Sequence, residues 1–392
     1  MDIPSDILRR ATEIRRDLHA HPEIAYEEHR TSDVIAAELR DIGIEHATGL
    51  AGGTGVLGWI PGTGDEEAIG LRADIDALPI TEETGADWAS TIPGRMHACG
   101  HDGHTAILLG TARNLARIAA TDGLARPVVL LFQPAEEGGG GGARMVEDGV
   151  LDARVAPHPV ERIYGLHGWP EAPAGTAGTR PGPLLAASDR FEIDLEGEGC
   201  HAAWPQTGRD TVVAAAAITT ALQTIVSRNC DPLDAAVVSV TVLEAGNTFN
   251  VIPQTARIRG TARSLSADVR DRLETRIGEI AAGIATAHGC VATTRYHRGY
   301  PVTVNDPDAT AIFEGVARSE IGDDQWFPVE RPVMGGEDFA YYGEQVPACF
   351  FVLGQQRDGG ERMPTLHSPK YDFNDGTLET GIRLMSRLAL DG

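Results

Sequence analysis

Between Met96 and His104 the chain reads MHACGHDGH, which sets three histidines, a cysteine and an aspartate within nine residues. A second cluster, QPAEEGGGGG, follows from Gln133 to Gly142. Thiolate, imidazole and carboxylate are the side chains that bind borderline metals such as zinc, and of two adjacent glutamates one can ligate while the other moves protons. The two clusters together point to a metal-dependent hydrolase.

Cys99 and His101 have the two-residue spacing that presents a thiolate and an imidazole to one centre, and Gly100 and Gly103 let the backbone fold tightly around a small ion. A lone histidine is more often a solvated or core residue, and His97 and His104 suit a supporting or helix-start place at least as well as a ligating one. Asp74 and Asp76, in LRADIDALP, share one side of a strand if the strand runs through both. The bland alternative is a strand-end turn with both carboxylates on backbone amides. Glu136 and Glu137 follow the apolar run VVLLFQP. Glutamates at a helix start are commonplace because carboxylates favour the positive end of the helix dipole, but beside a Cys/His cluster they read as chemistry. His167 closes the apolar run from Ile163 to Leu166, and His367 sits in TLHSPKYDF. With Cys99, His101 and the glutamates they make a set drawn from several strand ends, as an α/β scaffold assembles a polydentate site. His201, in GCHAAWP, lies in a different part of the chain and is not read as a ligand of that site. The glycine run Gly138 to Gly142 lacks the Gly-Lys-Ser/Thr ending of a phosphate-binding loop, so nucleotide binding is set aside.

Alternating strands and helices must position these residues. Helices are expected at Asp6 to Ala20, capped by Ser5, at Ser32 to Ile42, and from near Gly103 to Ala119. Short apolar runs at Val56 to Ile60, Ala68 to Ile75 and Val128 to Phe132 read as strands of a largely buried sheet. From Arg190 the rhythm changes to strand Phe191 to Leu195, helix Asp210 to Arg228, strands Val237 to Leu243 and Ala256 to Ala262, helix Ala267 to His288, and strand Val291 to Tyr296. That βαββαβ order is a complete ferredoxin-like unit. It interrupts a catalytic domain that resumes with helices near Ala309 to Ile321, Asp338 to Gln345 and Leu378 to Leu390 and a strand at Cys349 to Leu353. The expected fold class is α/β: a discontinuous catalytic domain built on a largely buried sheet, residues 1–187 and 302–392, with an inserted ferredoxin-like (βαββαβ) domain, residues 188–301.

With 392 residues, 42% of them hydrophobic, the chain can bury two cores. Its 57 acidic against 33 basic residues give a net charge of -24, which repels nucleic acid and anionic membranes. The N-terminal stretch lacks the apolar core of a signal peptide, and no window reads as an uninterrupted membrane span. Five scattered cysteines, an odd number, suit reduced thiols. A cytoplasmic protein with no nucleic-acid or membrane partner is expected.

In sum of motifs, the chain resembles the amidohydrolase branch of the aminoacylase-type dinuclear metallopeptidases, which includes hippurate hydrolase and the plant auxin-conjugate amidohydrolases. The marks run nearly the whole length: RRDLHAHPE, LRADIDALP, MHACGHDGH, FQPAEEGGGGG, GLHGWP, GCHAAWP, NVIP, MGGEDF and LHSPKYDF. The resemblance implies hydrolysis of an N-acyl amino acid to a carboxylate and a free amino acid. Cys99, His101, Glu137, His167 and His367 are then the ligands of two divalent ions (zinc, manganese, cobalt or nickel), with the bridging ligand left open. Glu136 is the implied general base and Asp76 the orienting aspartate. The inserted unit is the implied lid and dimerisation domain of a homodimer, hinged near Ala187 and Pro301. Its His201 would polarise the substrate carbonyl in the neighbouring subunit's site, Asn250 would hold the substrate carboxylate, and Gly335 of MGGEDF would line the substrate site.

The chain departs from the family pattern where Gln206 replaces a usual histidine, Trp204 is bulkier than usual and Thr211 replaces a frequent proline. The first two flank His201 and bear on acyl or leaving-group specificity more than on the reaction. Two alternatives remain at this level: a dipeptidase or metallo-carboxypeptidase of the same family, and a catalytically silent binding protein.

Overall fold

The computed structural model describes residues 1–64, 66–357, 359 and 362–391. In chain order the elements are α1 (Ser5–Ala20), α2 (His29–Asp41), β1 (Glu45–Leu50), β2 (Gly55–Ile60), β3 (Ala68–Asp74), α3 (His101–Thr121), β4 (Val128–Gln133), α4 (Gly141–Asp148), β5 (Val160–Pro173), β6 (Ala177–Thr179) and β7 (Gly182–Leu185). There follow β8 (Ala187–Glu196), β9 (Cys200–His201), α5 (Thr211–Thr224), β10 (Ala236–Ala245), β11 (Val251–Ile252), β12 (Thr255–Ser264), α6 (Ala267–Ala287) and β13 (Val291–Tyr300). The chain closes with β14 (Thr303–Asn305), α7 (Pro307–Ile321), β15 (Trp326–Pro328), α8 (Ala340–Gly343), β16 (Ala348–Gln356) and α9 (Leu378–Asp391). Two compact units result: Met1–Leu184, Val304–Arg331 and Asp338–Gly392 form the first, and Leu185–Thr303 with Pro332–Glu337 the second.

The first unit is built on an eight-stranded mixed sheet in the order β1-β2-β4-β3-β5-β16-β6-β15. Its centre, β4, β3, β5 and β16, is parallel. β3 and β4 are buried at every position, as the unbroken apolar runs of covered parallel strands require. α1, α3 and α9 pack on the sheet through one core that includes Leu18, Ile107, Leu130, Phe351 and Ile382. The second unit carries β10, β12, β8 and β13 as an antiparallel four-stranded sheet in that order. Its core, with Phe191, Ile193, Ile218, Leu222, Ile258 and Ile277, is separate from the first. β8 alternates buried and less buried residues, the period of a strand covered on one face.

Several boundaries differ from expectation for identifiable reasons. Ser5 is the first residue of α1 rather than its cap, and Pro4 occupies the cap position. α2 starts at His29, earlier than expected, because the Glu23 carboxylate accepts the N–H groups of Arg30 and Thr31 at 3.0 and 2.8 Å and satisfies the first turn from outside. β3 stops at Asp74, so Asp74 and Asp76 do not continue one strand face. β5 does not end at His167 but runs through it to Pro173, because its parallel ladder with β16 continues past that point. The helix expected over Asp338 to Gln345 is a single turn, α8. Helix α5 with its last turn, Thr211–Asn229, is apolar and long enough to cross a membrane by length and composition alone. Thr219, Thr220, Gln223 and Thr224 interrupt its apolar residues, so the segment does not read as an unbroken apolar run. Its stripe of Thr211, Ala214, Ala215, Ile218 and Leu222 is buried in the core of the second unit.

Candidate metal centre

The candidate site of the first unit gathers near the carboxyl ends of parallel strands, where open α/β sheets place their chemistry. His101 opens α3, and Cys99 precedes it across Gly100, whose φ of 93° is left-handed. A Cβ at Gly100 would meet the Tyr371 hydroxyl at 2.8 Å. The turn from β4 to α4 carries Glu136 and Glu137, and Ala135 just before them holds φ at 56°, a region unfavourable for a residue with a side chain. Two buried carboxylates hold that turn in place. Glu28 accepts the Ala135 N–H at 2.9 Å, and the two oxygens of Asp76 accept the N–H groups of Glu136 and Glu137 at 3.0 Å each. Three successive amides are thereby secured by two acids. His367, with φ of 64°, donates its N–H to the carbonyl of Ala98 at 2.8 Å, which ties the C-terminal segment to the cysteine.

The donor atoms fit a pair of metal ions. Cys99, His101 and His167 bring their ligand atoms within 4.8 Å of one another, as do Cys99, Glu137 and His367, and as do His101, Glu136 and Glu137. Cys99 Sγ lies 3.3 Å from His167 Nε2, and His367 Nε2 lies 3.1 Å from Glu137 Oε1. His101 uses Nδ1 on the carbonyl of Asp76 at 2.9 Å, and His167 uses Nδ1 on the carbonyl of Gly168 at 2.8 Å. Each imidazole is thereby oriented with Nε2 toward the cluster, as metal-ligating histidines are. His101 Nε2 is buried without a hydrogen-bond partner, and the nearest carboxylate oxygen, Asp74 Oδ2, is 3.6 Å away, too far for one. An orphaned buried nitrogen aimed among a thiol and carboxylates is what a cation would satisfy.

Electrostatics agree. Burial, with Glu137, Glu136 and Asp74 around it, pushes the Cys99 thiol well above its ordinary range. Burial works against a charge on His101, but Asp74 and Asp76 outweigh it and raise the ring to about 10. Burial beside His104 lowers His167 to about 3, leaving it neutral and able to donate a lone pair. Burial opposes the charge on Glu137, yet His367 and His101 hold its carboxyl below the usual range. A site so rich in carboxylate penalises a thiolate until a cation compensates it.

All six residues expected at the centre are thus together, and of the two doubtful histidines His104 packs on His167 with ring centroids 4.7 Å apart. His104 is held between Asp74 Oδ1 at 2.6 Å and the Gly168 N–H at 2.8 Å, so both its nitrogens are engaged. His97 is buried, with neither ring nitrogen hydrogen-bonded. The glycine run turns the chain into α4 and its Gly142 N–H is taken by Asp338 Oδ2 at 2.8 Å.

His201, Asn250 and Gly335 belong to the second unit. There β9 pairs with β11, His201 opposite Val251, and Ala202 N–H donates to the Asn250 carbonyl at 3.0 Å, which places His201 and Asn250 side by side. Trp204 packs on the His201 ring with centroids 4.7 Å apart. The Gly335 carbonyl accepts the Ala186 N–H at 2.8 Å.

The sequence of residues 70–391 matches the model of Peptidase family M20/M25/M40. The chain belongs to that family. Among its M20 relatives, an N-acetyl-L-cysteine deacetylase of Bacillus subtilis is 42% identical over 349 residues, covering 88% of this chain and 80% of the relative. IAA-amino acid hydrolase ILR1-like 2 of Arabidopsis thaliana is 42% identical over 383 residues, 96% of this chain and 84% of the relative. The crystal structure of the Bacillus subtilis YXEP protein, described as a dinuclear metal binding peptidase from the M20 family, superposes with a TM-score of 0.84 at 35% identity and covers 98% of each chain. The M20 chain is therefore a hydrolase of amide bonds on an α/β metallopeptidase fold, as its motifs imply.

Sequence reading missed the residues that hold the M20 centre in place. Glu28, Arg72, Gln133 and Asp338 are all fully or almost fully buried charged or polar side chains. Arg72, Gln133 and Asp338 lie inside LRADIDALP, FQPAEEGGGGG and MGGEDF, and a charged or polar residue within an apolar or glycine-rich stretch is the signal the sequence offers. Glu28, in YEEHR, resembles any surface glutamate.

Proposed function

We propose that this M20-family protein cleaves the amide bond of N-acyl amino acids, releasing a carboxylate and a free amino acid. Cys99, His101, Glu137, His167 and His367 would together hold two divalent ions, with Cys99 shared by the sets Cys99, His101, His167 and Cys99, Glu137, His367. One thiolate among imidazoles and a carboxylate suits zinc by softness and also admits manganese, cobalt or nickel. When bound, the ions supply Lewis acidity to the amide carbonyl and make a water more acidic. Glu136, the carboxylate of the cluster not used as a ligand, takes a proton from the attacking water and delivers it to the leaving nitrogen as the C–N bond breaks. Asp76 fixes the placement of Glu136 and Glu137 through their amides and of His101 through its ring.

The second unit would act as the lid, with His201 donating to the carbonyl oxygen. The Ala203 N–H occupies His201 Nδ1 at 3.1 Å, which leaves the proton on Nε2 for a substrate. Asn250 would bind the substrate carboxylate through its amide NH2, since its Oδ1 already accepts the Thr248 hydroxyl at 3.1 Å. Gly335, whose added Cβ would meet only Leu185 at 3.9 Å, would let the substrate approach the backbone. A cytoplasmic homodimer is the setting we favour, with His201 reaching the other subunit's site.

The observation that carries this reading is the buried, unpartnered His101 Nε2 beside Cys99, His167 and the paired glutamates. It is tested by amino-acid release from N-acetyl, N-benzoyl, indole-acetyl and longer N-acyl amino acids and from dipeptides, using metal-reconstituted protein. Turnover should vanish on chelation and fall at least about a thousandfold in Glu136→Gln, the scale of a lost general base. Equal rates from both proteins with every metal would overturn it.

A further inference from the structure

We propose that Arg72 is the positioning hub of the centre, its guanidinium joining the support of the metal ligand His167 to the support of the general base Glu136. The inference rests on the roles assigned to those two residues above. Arg72 lies on β3 with no solvent exposure. Its planar fork reaches acceptors on three side chains at least: Nη1 donates to Asp74 Oδ2 at 2.8 Å, Nη2 to Asp338 Oδ1 at 3.0 Å and Nε to Gln133 Oε1 at 2.9 Å.

One arm runs to the metal side. The other oxygen of Asp74 accepts from His104 Nδ1 at 2.6 Å, and His104 Nε2 accepts the N–H of Gly168 at 2.8 Å. Donating at Nδ1 and accepting at Nε2 makes His104 the neutral imidazole, and the peptide it holds is the one that follows His167. The second arm runs to the base. Both oxygens of Asp338 accept from Gln133 Nε2, at 2.7 and 2.9 Å, and Oδ2 also accepts the Gly142 N–H at 2.8 Å where α4 begins. The backbone N–H of Asp338, so fixed, points at Glu136 Oε1 from 3.4 Å. Asp74, His104, Gln133 and Asp338 are as deeply buried as Arg72.

A buried cluster of charges is costly to assemble and contributes little net stability over apolar packing. Its use is geometric: each arm ends on a group that must stay where it is while a substrate turns over. Lysine cannot replace the fork, because an ammonium is a single centre and cannot reach three acceptors in fixed directions.

The two arms make separable predictions. Full-length Arg72→Lys, His104→Gln and Asp338→Asn are loaded with Co2+, and its affinity by chelator competition, the absorption spectrum of the Co2+ protein, and kcat and KM on an N-acyl amino acid are measured, with thermal melting as the control for folding. His104→Gln should weaken Co2+ binding about tenfold or more, the usual cost of losing an outer partner of a metal ligand, and alter the spectrum. Asp338→Asn should leave affinity and spectrum as in the unaltered protein while kcat falls about tenfold at unchanged KM. Arg72→Lys should show both losses. If that variant does not fold, the other two carry the same decision. Folded variants within about twofold of the unaltered protein in every reading, or parallel loss of the same quantity in His104→Gln and Asp338→Asn, would overturn the hub. Absence of turnover in the unaltered protein would refute the proposed reaction instead, while Co2+ affinity in His104→Gln and Arg72→Lys still decides the metal arm.

Discussion

Glu28 shows how much a single buried side chain does for this centre. Its carboxyl accepts the Ala135 N–H and the Thr54 hydroxyl, and burial pushes it up to about 7. In the unfolded chain the same group titrates near about 4.3. Between those values the folded protein holds a proton that the unfolded chain has lost, so stability falls as pH rises across the window. Glu28→Gln removes this dependence and retains an acceptor for Ala135. Its metal-free form should gain on the unaltered protein by roughly 1–3 kcal/mol between about pH 5 and pH 8, read by urea unfolding in the presence of chelator. A difference that stays flat with pH would sink the idea. Glu28→Ala, which leaves the left-handed Ala135 without its restraint, should lower kcat where Glu28→Gln does not.

At the scale of elements, the turn between β4 and α4 is compact to the limit that glycine allows. A Cβ on Gly141 would stand 1.7 Å from the carbonyl oxygen of Pro134, an overlap that only movement of the turn can relieve. Gly140, although its φ is 69°, has open space around it. Gly141→Ala should therefore cost about 2 kcal/mol or more and lower the bound metal per chain, because Glu137 rides on the same turn. Gly140→Ala should cost only about 1–2 kcal/mol for the left-handed backbone and leave metal content unchanged. Denaturant midpoints and metal analysis on the two variants separate the cases, and equal metal loss in both would contradict the steric account. The same turn explains a limit of sequence reading. A helix dipole explains two glutamates before a helix equally well, and only the capture of their amides by Asp76 shows that they are held inward.

At the scale of the whole molecule, two separate cores imply two cooperative units. Calorimetry should resolve two transitions, of which added metal raises only the one belonging to the first unit. The gain should approach about 4 kcal/mol at a thousandfold excess over Kd. Leu222→Ala, which empties a fully buried position of the second core, should lower the other transition by about 2–5 kcal/mol and leave the metal-sensitive one in place. A single transition that moves as a whole with metal would exclude independent units. The overall charge of -24 adds a self-repulsion that favours solubility and says nothing of the fold.

The sequence by itself singled out the candidate site residues. Cys99, His101, Glu136, Glu137, His167 and His367 were legible because thiolate, imidazole and carboxylate have few uses in such density. The elements that carry them were legible because apolar periodicity is a local property. Tertiary structure alone decided what holds them. Glu28 meets Ala135 across 107 positions of chain and Arg72 meets Asp338 across 266. Such pairs leave no periodic trace, since a buried amide or guanidinium takes whichever acceptor the packed fold brings within reach. For the same reason Asp74 and Asp76, two positions apart in one motif, part company: one serves Arg72 and His104, the other the amides of Glu136 and Glu137.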